Sequence, residues 1–246
     1  MALKASPDDQ ALLLDLQALD TKISQLDHRA KSLPEHAALH LLAAQAEGVR
    51  LTHAEQSGAL EDISLELGRI ESDVAVVEAR IARDSERVAT SSSVKDVAAL
   101  EQELTALRKR LGDLEEIELT VMERLDEQQA AERATAAEQA GIAEKIAEAT
   151  AQRDAALASI AAERTTAAAG RRTIEAKVPA DLLALYERQR ARYGAGASLL
   201  RGGVSLASGV KLLENEMHAI RAAAPDDVIM CASSEAILVR TNESGL

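Results

Sequence analysis

The stretch Val74–Leu107, VAVVEARIARDSERVATSSSVKDVAALEQELTAL, decides the fold. On its left, Val74, Val77, Ile81, Asp84 and Val88 recur at alternating spacings of three and four; on its right, Val97, Leu100, Leu104 and Leu107 do the same. That alternation is a heptad seam, a stripe that a helix buries by supercoiling around a partner helix. Between the seams lies only Thr90-Ser91-Ser92-Ser93, a polar turn, and Ser93 with Asp96 three residues on reads as a capping box with Asp in place of Glu. Two helices joined this tightly each have the other as nearest partner, so the spacing predicts an antiparallel hairpin with its tip at Ser91, Ser92 and Ser93.

Reading outward, the left seam extends back through Leu39, Leu42, Ala46, Val49, His53, Gln56, Leu60, Ile63, Leu67 and Ile70 without a slip. Pro34 breaks it from an earlier seam, Leu12, Leu16, Leu19, Ile23, Leu26, Ala30 and Leu33, whose helix starts at Ser6-Pro7-Asp8-Asp9. The right seam continues through Leu111 and Leu114, shifts slightly through Ile117, Val121 and Leu125, and thins to Ile142, Ile146 and Ile160, with Gly170 as the expected C-cap. A helix over 94–169 would span roughly 114 Å. Seams alone do not fix the partner, so a parallel dimer opening at the turn is the alternative to the hairpin. His53 and Gln56, polar at seam positions, are expected to set register or face water.

Composition agrees with long helices. The 246 residues include two Tyr, no Trp and no Phe, too few large aromatics for an ordinary core of this size. There are 41 acidic and 28 basic residues, a net charge of −13 that disfavours general nucleic-acid binding. No apolar run is long enough to cross a membrane, and no signal peptide is read at the N-terminus, so a cytoplasmic protein is expected. The single cysteine, Cys231, excludes an internal disulfide. No nucleophile elbow, P-loop, dinucleotide fingerprint or His–carboxylate cluster is present, so no enzyme is expected.

The excess acidity ends at Gly170. Residues 1–170 hold 18 basic and 32 acidic residues, whereas 171–246 hold 10 and 9. The domains expected are a coiled-coil hairpin over 1–170 and a small α+β head over 171–246. In the head, a helix over Asp181–Arg192 closes at Gly194, a second helix is read around Glu214–Arg221, and Asp227–Met230 and Ala236–Val239 read as extended.

The head phrases carry a family resemblance: Pro179-Ala180-Asp181-Leu182-Leu183-Ala184-Leu185-Tyr186-Glu187-Arg188, then Leu200-Arg201-Gly202-Gly203, then Ile220 to Asp227, then Ile237-Leu238-Val239-Arg240-Thr241. With the hairpin before them, they make the chain similar to bacterial C4-type zinc-ribbon proteins with a coiled-coil hairpin, especially actinobacterial members. The resemblance implies a zinc-ribbon-like head with two Cys-x-x-Cys knuckles. Those knuckles fall on Ser205 and Ser208, and on Cys231 and Ser234, so three of four ligand positions are Ser. His218 is the only nearby imidazole, and structural zinc takes four thiolate or imidazole donors. No zinc and no other cofactor is therefore expected. Leu206, Val210, Leu212 and Leu213 around the first knuckle, and Val228, Met230, Ile237 and Val239 around the second, are expected to hold the head together in its place. Cys231 reads as a small buried strand residue.

The basic run Arg188, Arg190 and Arg192, with Tyr186 and Tyr193, is the candidate contact for a nucleic acid or another partner. Arg171-Arg172 reads as neutralising a helix C-terminus. The resemblance implies a regulatory or adaptor protein; relatives are similar to chaperone-like factors of flagellar or secretion systems that contact a sigma factor or transcripts. The leading expectation is thus a non-enzymatic, protein-binding adaptor, monomeric or dimerised through its coiled coil. A nucleic-acid-binding module and a purely structural spacer are the alternatives.

Overall fold

The structure is a computed structural model and describes residues 3–246. Its elements in chain order are α1 (Pro7–Lys31), α2 (Pro34–Thr90), α3 (Val94–Glu175), α4 (Ala180–Tyr193), β1 (Ala197–Arg201), β2 (Val204–Ser205), β3 (Val210–Lys211), α5 (Glu214–Ala222), β4 (Ile229–Met230) and β5 (Ile237–Val239). Packing groups them into two compact units, one of Glu35–Ala151 and one of the described residues up to Pro34 with Gln152–Leu246.

The Glu35–Ala151 unit is an antiparallel helical hairpin. Every seam residue read in α2 is at least half-buried, while Leu41, Leu51, Leu65 and Val76, which lie off the seam, are exposed. Pairs across the two helices fix the direction: His53 Nε2 lies 2.9 Å from Glu132 Oε1, Arg124 Nη1 lies 3.2 Å from Glu66 Oε2, and Arg80 meets Glu103. Residue numbers rise on one helix as they fall on the other, which is the intrachain hairpin and not a parallel dimer.

The seam of α3 corrects one expectation. Ile117 is 45% exposed and Glu118 takes the inward position. The seam does not shift; it continues through Val121, Leu125, Gln128, Glu132, Thr135, Gln139 and Ile142 in unbroken alternation, all of them at least half-buried. Polar side chains occupy the stripe there, so the apolar pattern alone drifts to the nearest hydrophobe. Two of them meet α2 through polar contacts: Glu132 pairs with His53, and Gln128 Nε2 donates to the Gln56 backbone carbonyl at 3.1 Å. At the turn, the Asp96 N–H donates to Ser93 Oγ at 3.4 Å, but the Ser93 N–H goes to Ser91 Oγ, so half of the expected capping box forms.

In the other unit, α1 starts as read, with the Asp9 N–H donating to Ser6 Oγ. The five strands are ordered β3-β2-β1-β5-β4, with β1 and β5 parallel and the other pairs antiparallel. Leu13 and Leu16 of α1 pack with Leu182 and Tyr186 of α4 and with Ala197, Ile237 and Val239 of the sheet. A second cluster joins Leu200, Leu212, Met217, Ile220, Cys231 and Leu238. Burying such aliphatic side chains stabilises by about 1.5–3 kcal/mol each. Val228, Met230, Leu183 and Leu185 pack at the edge of the first cluster. Around the first knuckle position only Leu212 is buried; Leu206, Val210 and Leu213 stay exposed, because the two-residue strands β2 and β3 are too short to fold them inward.

Gly170 is not a cap. It lies inside α3, where a Cβ would come within 3.6 Å of Leu19, and the helix runs on to Glu175. Consequently the end of α3 and all of α1 pack with the sheet-bearing unit, and packing divides the chain differently from a boundary at residue 170. Gly194 closes α4 in the left-handed conformation, as read. At Gly196 a Cβ would lie 2.5 Å from the Tyr186 ring, so only glycine lets β1 start against that ring.

Candidate functional site in the sheet-bearing unit

The knuckle positions converge. Ser205, from β2, is buried, and its Oγ lies 2.9 Å from Ser198 Oγ. The Ser233 hydroxyl lies 3.2 Å from Cys231 Sγ and donates to Ser208 Oγ at 3.2 Å. The two turns after β2 and β4 thus meet through side chains. Cys231 is 1% exposed, but it follows β4 rather than lying in a strand, and its thiol is not bare. Burial pushes the thiol up, while the polar groups of Ser205, Ser233 and Ser234 around it, with Ser233 Oγ at 3.2 Å, outweigh that and bring it down to about 7. Hydroxyls and one thiol do not fit a structural zinc, which takes thiolate or imidazole donors. Among the described residues, no group of three or more His, Cys, Asp and Glu is placed to hold a metal ion.

The basic helix α4 is mostly engaged in structure. Tyr186 is 0% exposed and its hydroxyl donates to Asp20 Oδ2 at 2.7 Å. Burial first, then the Asp20 hydrogen bond and charge, raise that hydroxyl far above the ordinary tyrosine value. Arg190 donates to Glu187 at 2.7 Å and lies 3.5 Å from Asp20. Neither is therefore a free contact residue. Arg188 and Arg192 remain exposed, and the Arg192 guanidinium sits 5.2 Å from the centre of the Tyr193 ring.

Arg171 does not merely neutralise a helix end. It is the centre of this network, reaching Asp20 at 2.6 Å, Glu175 at 2.7 Å and Glu187, and so ties α1, α3 and α4 together. Burial opposes its charge, but Asp20 and Glu187 overcome that and raise its pKa above the ordinary arginine value. Asp20 was legible only as a charge beside Leu19, on the helix face that also carries Leu13.

Arg240 explains two of the head phrases. Its guanidinium donates to the carbonyls of Ala223, Ala224, Pro225 and Asp227 at 2.7–3.1 Å, neutralising the end of α5 and holding the loop that follows. The other side of that loop is held by Lys4, 3.0 Å from Asp226 Oδ2.

Among the open features of this unit, one groove stands out by size. A groove of about 820 Å³ runs between α1 and the start of β1. Its α1 wall is Leu14, Ala18, Thr21, Lys22 and Gln25, one face of three helical turns. The opposite wall is small or apolar, including Gly194, Ala195, Ala197 and Leu199, with Leu206 at its rim. Lys22 is the only charged residue lining it, and no carboxylate does.

The model of the CT398-like coiled coil hairpin domain matches residues 16–194. The chain belongs to that family. It is 34% identical to an uncharacterized protein of Mycobacterium tuberculosis over 97% of this chain and 98% of that one. Among solved structures, a Mycobacterium smegmatis protein superposes with a TM-score of 0.86 at 34% identity, covering 97% of this chain and all of that one. CT398 from Chlamydia trachomatis superposes at 0.65 with 17% identity, covering 95% and 98%, and that likeness concerns the fold alone. The family match covers the helical part of the chain and ends before β1.

Proposed function

We propose that this chain is a non-enzymatic protein-binding adaptor whose docking site is the groove between α1 and β1. The carrying observation is that groove: open, with apolar and small residues on the β1 side, Gln17, Thr21, Lys22 and Gln25 among the α1 residues, and no carboxylate in a chain of net charge −13. Several other polar groups of this unit close on one another. Asp20, Arg171, Glu187 and Tyr186 form a network, Arg240 is held by carbonyls, and the Ser–Cys cluster is internally hydrogen-bonded, which supports a structural role for each. The knuckle positions are read as a hydroxyl cluster that binds no zinc, because of their donor set. No helix among the described residues is long and apolar enough to cross a membrane.

A photo-crosslinking amino acid placed at Ala18 tests the reading, since that residue lines the groove and is exposed. Protein adducts that vanish when Lys22 is changed to Glu are expected. Adducts unaffected by that change, or crosslinks to nucleic acid alone, would overturn it.

A further inference from the structure

We infer that the groove receives a second copy of this chain, through the exposed acidic face of α3 around Leu119 and Met122; this rests on the protein-docking reading above. The groove limits the shape of its occupant. The backbone groups of β1 turned toward it are engaged, with the Ala197 N–H donating to Gln17 Oε1 and the Leu199 carbonyl accepting from the Leu206 N–H. No run of free ladder groups is left for an added strand, so recognition must come from side chains, as when an amphipathic helix lies in a groove. The α1 wall from Leu14 to Gln25 is about 16 Å long, room for three turns of such a helix.

The occupant needs adjacent apolar side chains flanked by negative charge to meet Lys22. The chain itself carries that helix. Among the large exposed hydrophobics of the described residues, Leu119 and Met122, 63% and 45% exposed, are the pair stacked three apart on a helix. Glu116, Glu123 and Asp126 surround them on the same face, and all are exposed. The face from Glu116 to Asp126 is about 15 Å long, matching the groove. Neither Lys22 nor these three carboxylates has an ion-pair partner among the described residues, so both surfaces keep their full charge for one another. The seam residues Glu118, Val121 and Leu125 face inward, so docking leaves the hairpin intact. Groove and acidic face are different surfaces, so the contact between two copies pairs one kind of patch with the other.

Sedimentation velocity of the full chain over a concentration series tests this. Reversible dimerisation that weakens with added salt is expected. Lys22→Glu should weaken it at least about tenfold, as should Leu119→Gln with Met122→Gln. Combining Lys22→Glu with Glu116→Lys and Glu123→Lys should restore association by reversing both charges. All these side chains are exposed, so circular dichroism melts should match the parent and separate lost docking from lost folding. A chain that stays monomeric, or dimers indifferent to these changes, overturns the inference. If the chain is monomeric but its crosslinked adducts still depend on Lys22, self-association falls while the protein-docking reading stands; if the adducts are also indifferent, both fall.

Discussion

Tyr186→Phe removes one oxygen and leaves the packing of the first cluster in place. Asp20 then loses its 2.7 Å hydrogen bond while still facing Arg171. The expected loss is about 1–2 kcal/mol in urea unfolding. Asp20→Ala should cost more, about 3 kcal/mol, because it strands the half-buried Arg171 without its most buried carboxylate partner. Cys231 gives a pH dependence with a definite sign. Its folded pKa of about 7 lies below the ordinary 9.0, so the folded state binds fewer protons than the unfolded one between those values. Stability from this thiol is fully present above pH 9 and is lost as pH falls through 7. Thermal melts at pH 6.5 and 9 should show the parent gaining on the order of 1–2 kcal/mol relative to Cys231→Ser. No difference between the two proteins across that range would remove the hydrogen-bonded thiolate from the account.

At the scale of elements, the polar block of the hairpin is the place to intervene. His53 and Glu132 occupy facing seam positions, and polar groups there fix register at a cost in stability. Replacing both with Leu should raise the thermal midpoint by several degrees, whereas His53→Leu alone should lower it by leaving Glu132 against an apolar neighbour. The same block marks the limit of what the sequence could show. Leucines and valines at alternating threes and fours revealed α1, α2, the turn and the start of α3, since that spacing has few other physical meanings. Where Glu118, Gln128, Glu132 and Gln139 fill the stripe, its course shows only in the packing. The head was legible in outline, through Gly194 and the extended runs of β4 and β5. Its charge network was not, because Asp20, Arg171 and Glu187 are each unremarkable on their own helices and acquire meaning only when three helices meet. The groove was equally hidden: Leu14, Ala18 and Lys22 belong to no motif, and β1 was not read as a strand.

For the molecule as a whole, the absence of zinc is a proposal with a direct check. Elemental analysis of the purified chain should find well under one zinc per chain, and a chelator should leave the melting temperature unchanged; stoichiometric metal would restore the knuckle reading. Charge is also unevenly placed, with 25 acidic and 12 basic residues in Glu35–Ala151 and 16 of each in the remainder. The division of the chain carries a consequence for its birth on the ribosome. The hairpin unit is continuous in sequence and can close as soon as residue 151 has emerged. Leu13 and Leu16, by contrast, pack on Ile237 and Val239, and Lys4 awaits Asp226. At typical elongation rates those leucines stay wet for roughly 10–45 seconds while the rest is translated. The first helix made is among the last to be housed, and during that interval its apolar face is what a nascent-chain chaperone would find.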